Sequence, residues 1–361
     1  MPIVHVNLAN SPYDVHVAPG LLARVGTELR SLNQSKKAVV VYDANVPKVH
    51  VTRLTESLRK EGFEKLIVCD VRGGEEHKSF ETTMLLYDRI LPDGIDRETP
   101  LLALGGGVIG DTAGFVAASI LRGVPFVQVP TTLLAMVDAS VGGKTGVNHP
   151  VGKNLIGAFH QPIAVFADPE TLRTLPEREL RGGLAECIKH DVIRDADGFA
   201  RLEQNIGRAM ALDVDYLTEL VAHNVAIKAR VVEADPFEKA ERAHLNFGHT
   251  FGHAIETVSE YRYSHGESVA LGMAAAAILA TDLGMLDETS RRRIVAVIEK
   301  AGLPVRGLTL EPAAVVDAMA FDKKAKAGRL RFVLPDRIGH VVIRDDVPAD
   351  AVRRAVESLR A

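Results

Sequence analysis

Four short runs of β-branched and aliphatic residues limit this fold most tightly: AVVVY (38–42), KLIVCDV (65–71), PLLAL (100–104) and PFVQVP (125–130). Each is apolar nearly throughout rather than alternating, so each reads as a strand covered on both faces. Between them lie helical stretches such as VPKVHVTRLTESLRKEG and SFETTMLLYDRIL, the second with Ser79 placed to cap it. Strands alternating with helices predict an α/β domain with a mostly parallel sheet. From about Thr174 the strand pattern fades, and helical patterns follow at 177–193, 198–231, 249–260, 266–284, 288–301 and 312–320. A hairpin-like piece, LRFVLPDRIGHVVI, comes after them. For 361 residues the expected organisation is therefore an α/β domain over 1–175 and a mainly α-helical domain over 176–361.

A chain that is 47% apolar and 25% charged can bury a sizeable core, and a formal net charge of −4 argues against nucleic-acid or anionic-membrane partners. Two cysteines, Cys69 and Cys187, exclude a disulfide framework and fit a reducing compartment. The N-terminal MPIVHVNLANSPYDVHV alternates like a strand and has no apolar run of the signal-peptide kind. The uncharged part of SVALGMAAAAILATDLGM is shorter than the ~20 residues a membrane span needs. The expected location is cytoplasmic.

LLALGGGVIGDTAGFVA places Gly105, Gly107 and Gly110 in a GxGxxG pattern after a strand and before a helix. Such glycines let the backbone approach a pyrophosphate, and the helix N-terminus offers it free N–H groups. The competing reading is a tight strand-to-helix turn. The acid that normally follows some twenty residues later is absent, but Asp43 ends an earlier strand and could bond a ribose or adenine. VGGKTG (141–146) imitates a P-loop, yet Asp138 stands where that motif needs its first glycine. A glycine-rich loop with Lys144, followed by Lys153 and Asn154, remains as a place for an anionic substrate.

LNFGHTFGHAIETVSEYRYSHGES holds His249, His253 and His265. His249 and His253 stand four apart, on one helix face, as zinc ligands often do. The Glu of a metalloprotease HExxH is missing, so a carboxylate ligand has to come from elsewhere. RGGLAECIKH offers Glu186, with Lys189 one turn later. The alternative is that His253 and His265 are ordinary polar residues and His249 caps a helix.

In chain order, GGGVIGD, PTTLLAMVDASVGGKTGVNHPVGKN, LAECIKH, LNFGHTFGHAIE, HGESVALGM and DKK resemble the 3-dehydroquinate synthase family of sugar-phosphate cyclases. The resemblance covers nearly the whole chain and is densest at 105–157 and 242–273. It implies an N-terminal nucleotide-binding α/β domain with a mainly helical C-terminal one, NAD as cofactor, and a divalent metal, zinc or else cobalt or another. By resemblance the metal ligands are Glu186, His249 and His265, while His253 faces substrate. The i, i+4 spacing alone pairs the wrong two histidines.

The resemblance also places NAD contacts at Asp43, Asn45, Glu75, Lys78, Gly106, Gly107, Val108, Asp111, Thr131, Thr132, Asp138, Lys144, Lys153, Thr171, Leu172 and Thr174. Substrate contacts fall on Arg122, Lys144, Asn154, Lys189, Lys228, Arg242, Asn246 and His253, with Lys323 or Lys324 of DKK, and Glu238 matches a site carboxylate. The implied reaction turns 3-deoxy-D-arabino-heptulosonate 7-phosphate into 3-dehydroquinate and phosphate, in the shikimate pathway. It proceeds by transient oxidation at C5, loss of phosphate, re-reduction and intramolecular aldol closure. The substrate phosphate can itself act as base, so no protein base is required. Cations such as Lys144, Arg122 and the DKK lysine suit the departing phosphate, and Lys228 and Arg242 suit the carboxylate. Met136, His190 and Pro236 depart from the family's common residues without removing a ligand or an anion-binding charge. The implied partners are a small anionic sugar phosphate and a second copy in a homodimer, with no nucleic acid and no membrane. A sister cyclase acting on a neutral heptulose phosphate, a polyol dehydrogenase and a non-catalytic binding protein are the rival readings.

Overall fold

The computed structural model describes residues 1–238, 241–320 and 330–360. Lys323 and Lys324 lie outside the described residues. By packing, the chain forms two compact units, Met1–Pro176 with Val214–Pro236, and Glu177–Asp213 with Phe237–Ala361.

The first unit opens with β1 (Ile3–Val6), β2 (Tyr13–Val17), α1 (Val25–Leu32), β3 (Lys37–Asp43), α2 (Lys48–Lys60), β4 (Lys65–Val71) and α3 (Phe80–Ile90). It continues through β5 (Leu101–Gly105), α4 (Gly107–Ser119), β6 (Phe126–Pro130), β7 (Lys144–His149), β8 (Gly152–Phe159) and β9 (Ala164–Ala167). Seven strands make one sheet in the order β1-β2-β9-β6-β5-β3-β4, parallel except for β1 at the edge.

The apolar runs are buried on both faces for the reason their composition suggests. Val40, Leu102, Leu104, Val127 and Phe166 pack with Leu29, Leu54 and Leu58 of α1 and α2. Val39, Val41, Leu101 and Ala103 pack on the other face with Leu86, Ala113 and Val116 of α3 and α4. The chain leaves β3 for β4 on one side and then returns to β5 on the other. The crevice beyond the carboxyl ends of β3 and β5 is therefore the topological switch point, where α/β sheets bind ligands.

The segment carrying Lys144, Lys153 and Asn154 is not a loop as expected. It is an antiparallel hairpin of β7 and β8, separate from the main sheet.

α5 (Glu177–Arg194) and α6 (Ala196–Met210) begin the second unit, while α7 (Val214–Ala234) returns to the first, against β1 and β2. The sequence pattern predicts one helix over 198–231 and a single boundary near 175, but the structure has two helices there and a first unit that resumes at Val214. The helices part at Ala211–Asp213, where Leu212 takes a left-handed φ of 56°. The second unit resumes with α8 (His249–Val258), α9 (His265–Asp282), α10 (Glu288–Lys300), α11 (Pro312–Ala320), the hairpin β10 (Phe332–Arg337) and β11 (His340–Arg344), and α12 (Ala349–Glu357). α9 is its central helix, packed by α5, α8, α10, α12 and β10. That position explains its run of alanines and aliphatics, and among the described residues no helix is long and apolar enough to cross a membrane.

Candidate active site: a ligand trio and a cofactor cradle

In the second unit α5 is buried along most of its length, and it carries Glu186 and Lys189 one turn apart, their side chains 0% and 1% exposed. The Lys189 ammonium pairs with Glu186 Oε2. α9 can approach this helix closely because Gly182 meets Gly266: a Cβ on Gly266 would lie 2.2 Å from the Gly182 Cα. The start of α9 is held by a reciprocal cap, in which Ser264 Oγ accepts from the Glu267 N–H and Glu267 accepts from the Ser264 N–H. Arg178 of α5 then grips Glu267 with two bonds of 2.9 and 2.5 Å, which hold the Glu267 carboxyl below its ordinary pKa. His265, the first residue of α9, is thereby fixed opposite Glu186.

α8 begins after Gly248, whose φ of 77° is the left-handed turn that lets the chain enter the helix. Gly272 of α9 lies so close that a Cβ there would fall 2.0 Å from the Gly248 carbonyl. His249 therefore opens α8 against α9, beside His265, with ring centroids 5.5 Å apart.

The donor atoms converge on one point. His265 Nε2 is 3.5 Å and His249 Nε2 3.8 Å from Glu186 Oε1. All three ligand atoms lie within 4.8 Å of one another, and this is the one such trio among the described residues. Zinc ligands at about 2.1 Å in a tetrahedron stand roughly 3.4 Å apart, so the trio matches the span of three corners. The outer ring nitrogens are also committed. His249 Nδ1–H donates to the Phe247 carbonyl at 3.1 Å, and His265 Nδ1–H to Glu256 Oε2 at 3.4 Å. Each bond makes Nδ1 the outward donor, so Nε2 is the nitrogen that would face a metal beside Glu186, as metal-bearing histidines require. These residues fit a divalent metal.

Charge follows the same geometry. Burial, then Lys189, pushes His249 well below its ordinary pKa. Burial also lowers His265, but hydrogen bonds to Glu186 and Glu256 outweigh it and raise the pKa to about 10. A proton on His265 thus balances the carboxylates where a cation would otherwise sit.

His253, one turn beyond His249, stands edge-on to it at 5.3 Å between centroids and outside the trio. Arg242, which is buried, and Asn246 belong to the short helical turn Glu241–Asn246 that leads into Gly248. Glu238 precedes that turn with a φ of 57°. Glu256 is the residue that sequence reasoning missed. Its spacing of seven from His249, two turns along the same face, was the available signal.

In the first unit several of the expected cofactor residues lie at or just beyond the carboxyl ends of β3, β5 and β6. Asp43 ends β3 and accepts from the Asn45 N–H at 2.8 Å. Gly105 ends β5, where a Cβ would fall 3.2 Å from that of Asp43. Gly106 caps α4 with Gly107 and Val108 in its first turn, and the Thr131 N–H donates to the Gly105 carbonyl at 2.9 Å. A side chain on Gly106 would press on Thr132 at 3.2 Å. Buried Lys78 donates to Asp111 Oδ2 of α4 and to Asn154 Oδ1 of β8, both at 2.5 Å. Burial raises the Asp111 pKa, and Lys78 opposes that shift. Asp138, in the π-helical turn Ala135–Ala139, forms an ion pair with Lys228 of α7.

Lys144 is exposed at the start of β7, and Lys153 lies on β8 near Asn154. Thr171, Leu172 and Thr174 sit in the turn Pro169–Thr174. There Thr171 donates to the Asp168 carbonyl, and Thr174 donates to the Thr171 carbonyl and meets His50 Nε2 at 2.9 Å. Exposed Arg122 follows Leu121, both with positive φ, 68° and 51°.

Family profiles described as 3-dehydroquinate synthase N-terminal and C-terminal match residues 68–182 and 183–325. The 3-dehydroquinate synthase of Nostoc punctiforme is 45% identical over 363 residues, covering 99% of both chains. Two solved structures superpose well. One is 2-epi-5-epi-valiolone synthase from Streptomyces hygroscopicus subsp. jinggangensis 5008 with NAD+ and Zn2+ bound, with a TM-score of 0.88, 31% identity and 98% of each chain covered. The other is 2-deoxy-scyllo-inosose synthase complexed with carbaglucose-6-phosphate, NAD+ and Co2+, with a TM-score of 0.89, 25% identity and 99% of each chain covered. With both profiles matched in tandem and the relative aligned end to end, this chain belongs to the 3-dehydroquinate synthase family.

Proposed function

We propose that this chain catalyses the family's reaction, converting 3-deoxy-D-arabino-heptulosonate 7-phosphate to 3-dehydroquinate and phosphate with NAD and a divalent metal, zinc or cobalt. The convergence of Glu186 Oε1 with the Nε2 atoms of His249 and His265 carries this reading. A metal held there would lower the energy of an alkoxide on the substrate and so favour hydride loss to NAD.

The protein's own groups supply the rest. The glycine turn at 105–107 and the N-terminus of α4 receive the NAD pyrophosphate, with Asp43, Asn45, Glu75, Lys78 and Asp111 around it. A cofactor reduced and reoxidised within one turnover has to stay bound, which suits a site fixed by buried polar contacts such as Lys78–Asp111. Lys144, Arg122 and Asn154 hold the phosphate as its charge develops. Buried Lys189, Lys228 and Arg242 present cations to the substrate's anionic groups, and His253 is placed to move a proton near the trio. The protein acts in the cytoplasm as a homodimer, which sedimentation of the purified chain tests.

The deciding experiment follows phosphate and NADH together in the presence of the heptulosonate phosphate and NAD+. Phosphate release without net NADH, abolished by chelation and restored by zinc, is the expected result. Net NADH without phosphate would make the protein a dehydrogenase. Turnover of sedoheptulose 7-phosphate alone would place it among the cyclases of neutral substrates.

A further inference from the structure

The β7–β8 hairpin is irregular where the expected substrate and cofactor residues stand. Val147 pairs with Ile156 and His149 with Gly152, so Asn148 alone opposes Lys153, Asn154 and Leu155. A regular ladder would set one residue there. Such bulges re-aim side chains beside active sites, and here Asn154 is turned into a left-handed conformation with φ 55°.

Asn148 uses both ends of its side-chain amide and its backbone N–H to hold this arrangement. Its Oδ1 accepts from the Asn154 N–H at 2.9 Å, on the bulged side. Its Nδ2 donates to Glu75 Oε1 at 2.8 Å and reaches the Glu75 carbonyl at 3.3 Å, and its backbone N–H donates to the Lys78 carbonyl at 2.8 Å. Lys78 closes the circuit, since its ammonium bonds both Asn154 Oδ1 and Asp111 Oδ2. One amide thus ties the Glu75–Lys78 segment to the bulge.

We infer that Asn148 is a positioning residue that holds the Glu75–Lys78 segment through its donor end and the Asn154 bulge through its acceptor end, and so serves cofactor binding and substrate binding separately. The inference rests on the proposed cyclase reading, because that reading makes Glu75 and Lys78 cofactor contacts and Asn154 a substrate contact. The two ends of the amide do different things. The donor end serves Glu75, and the acceptor end serves Asn154.

Two substitutions separate the ends. Asn148→Ala removes both, and the NAD+ dissociation constant and the substrate KM should each rise about tenfold, the usual effect of losing a hydrogen bond from a bound site. Asn148→Asp keeps an acceptor for Asn154 but sets a carboxylate against Glu75. NAD+ binding should weaken by a similar factor while KM stays within about threefold of the parent value. Exposed His149→Ala, on the same hairpin, is the control and should leave both constants unchanged. Equal losses of both constants in the two Asn148 variants would reduce the residue to a merely structural role, and unchanged constants would remove its role altogether. If Asn148→Ala does not fold, the split within Asn148→Asp still decides. If the parent chain binds NAD+ but releases no phosphate, the functional reading fails, and the NAD+ titrations still judge Asn148.

Discussion

Gly182 and Gly266 meet so closely that α9 has no room for a Cβ at this contact: on Gly266 it would lie 2.2 Å from the Gly182 Cα. The contact adjoins His265 and stands one turn before Glu186 on α5. Gly266→Ala should force α9 away from α5, destabilise the chain by about 1–3 kcal/mol, and spread the ligand trio. Metal content after dialysis against zinc should fall below half that of the parent, and thermal melting should show the loss. Full metal occupancy would mean that the glycine contact does not set the ligand spacing.

Glu256 orients His265 from behind. Glu256→Gln should weaken metal binding about 10- to 100-fold while leaving NAD+ affinity intact. Competition with a chromophoric chelator measures the first and fluorescence titration the second. Activity should return at saturating zinc, which distinguishes an orienting role from direct ligation.

Metal binding should release a proton near neutral pH. In the metal-free chain His265 has a pKa of about 10, so it is protonated at pH 7, whereas a ligand must be neutral. Zinc affinity should therefore rise about tenfold per pH unit between pH 7 and 9. Calorimetry in buffers of different ionisation enthalpy should count about one proton released. A pH-independent affinity would contradict the paired-carboxylate environment of His265.

Acid should destabilise the fold well before the carboxylates titrate. Burial lowers the pKa of His16, His50 and His244 in the folded chain. Above their unfolded value of 6.5 both states are neutral and nothing is lost. Below it the unfolded chain takes up protons first, so stability falls as pH drops through 6.5 toward the depressed folded values. Glu267, held low by Arg178, adds a second loss that begins only below about 4.5. The melting temperature should decline from pH 7 to 5, and His50→Gln should flatten that slope.

The parts of this structure written in local pattern were legible in advance. β3 and β4 follow from short runs of β-branched and aliphatic residues, and α9 from small and aliphatic residues that suit a buried helix. His249 and His253 drew attention because four residues separate them. Spacing along one helix says nothing of a ligand on another, and His265 reaches Glu186 only through the packing of α9 on α5. Family resemblance supplied that pairing in advance. The hairpin at Lys144–Phe159 was hidden for a related reason. Its glycines and the left-handed Asn154 read locally as a loop, and its strands pair only with each other.

The path of the chain through its two units has a consequence for biosynthesis. α7 lies against β1 and β2 and joins the first unit through Lys228 and Asp138, yet α5 and α6 are made before it. Synthesis must therefore reach Pro236 before the first unit has all its parts, by which time only Glu177–Asp213 of the other exists. Cutting the gene at the apparent midpoint would strip a helix from one half and strand it in the other. The first half of such a cut would lack part of its own unit, and the second would carry a helix that packs on the other.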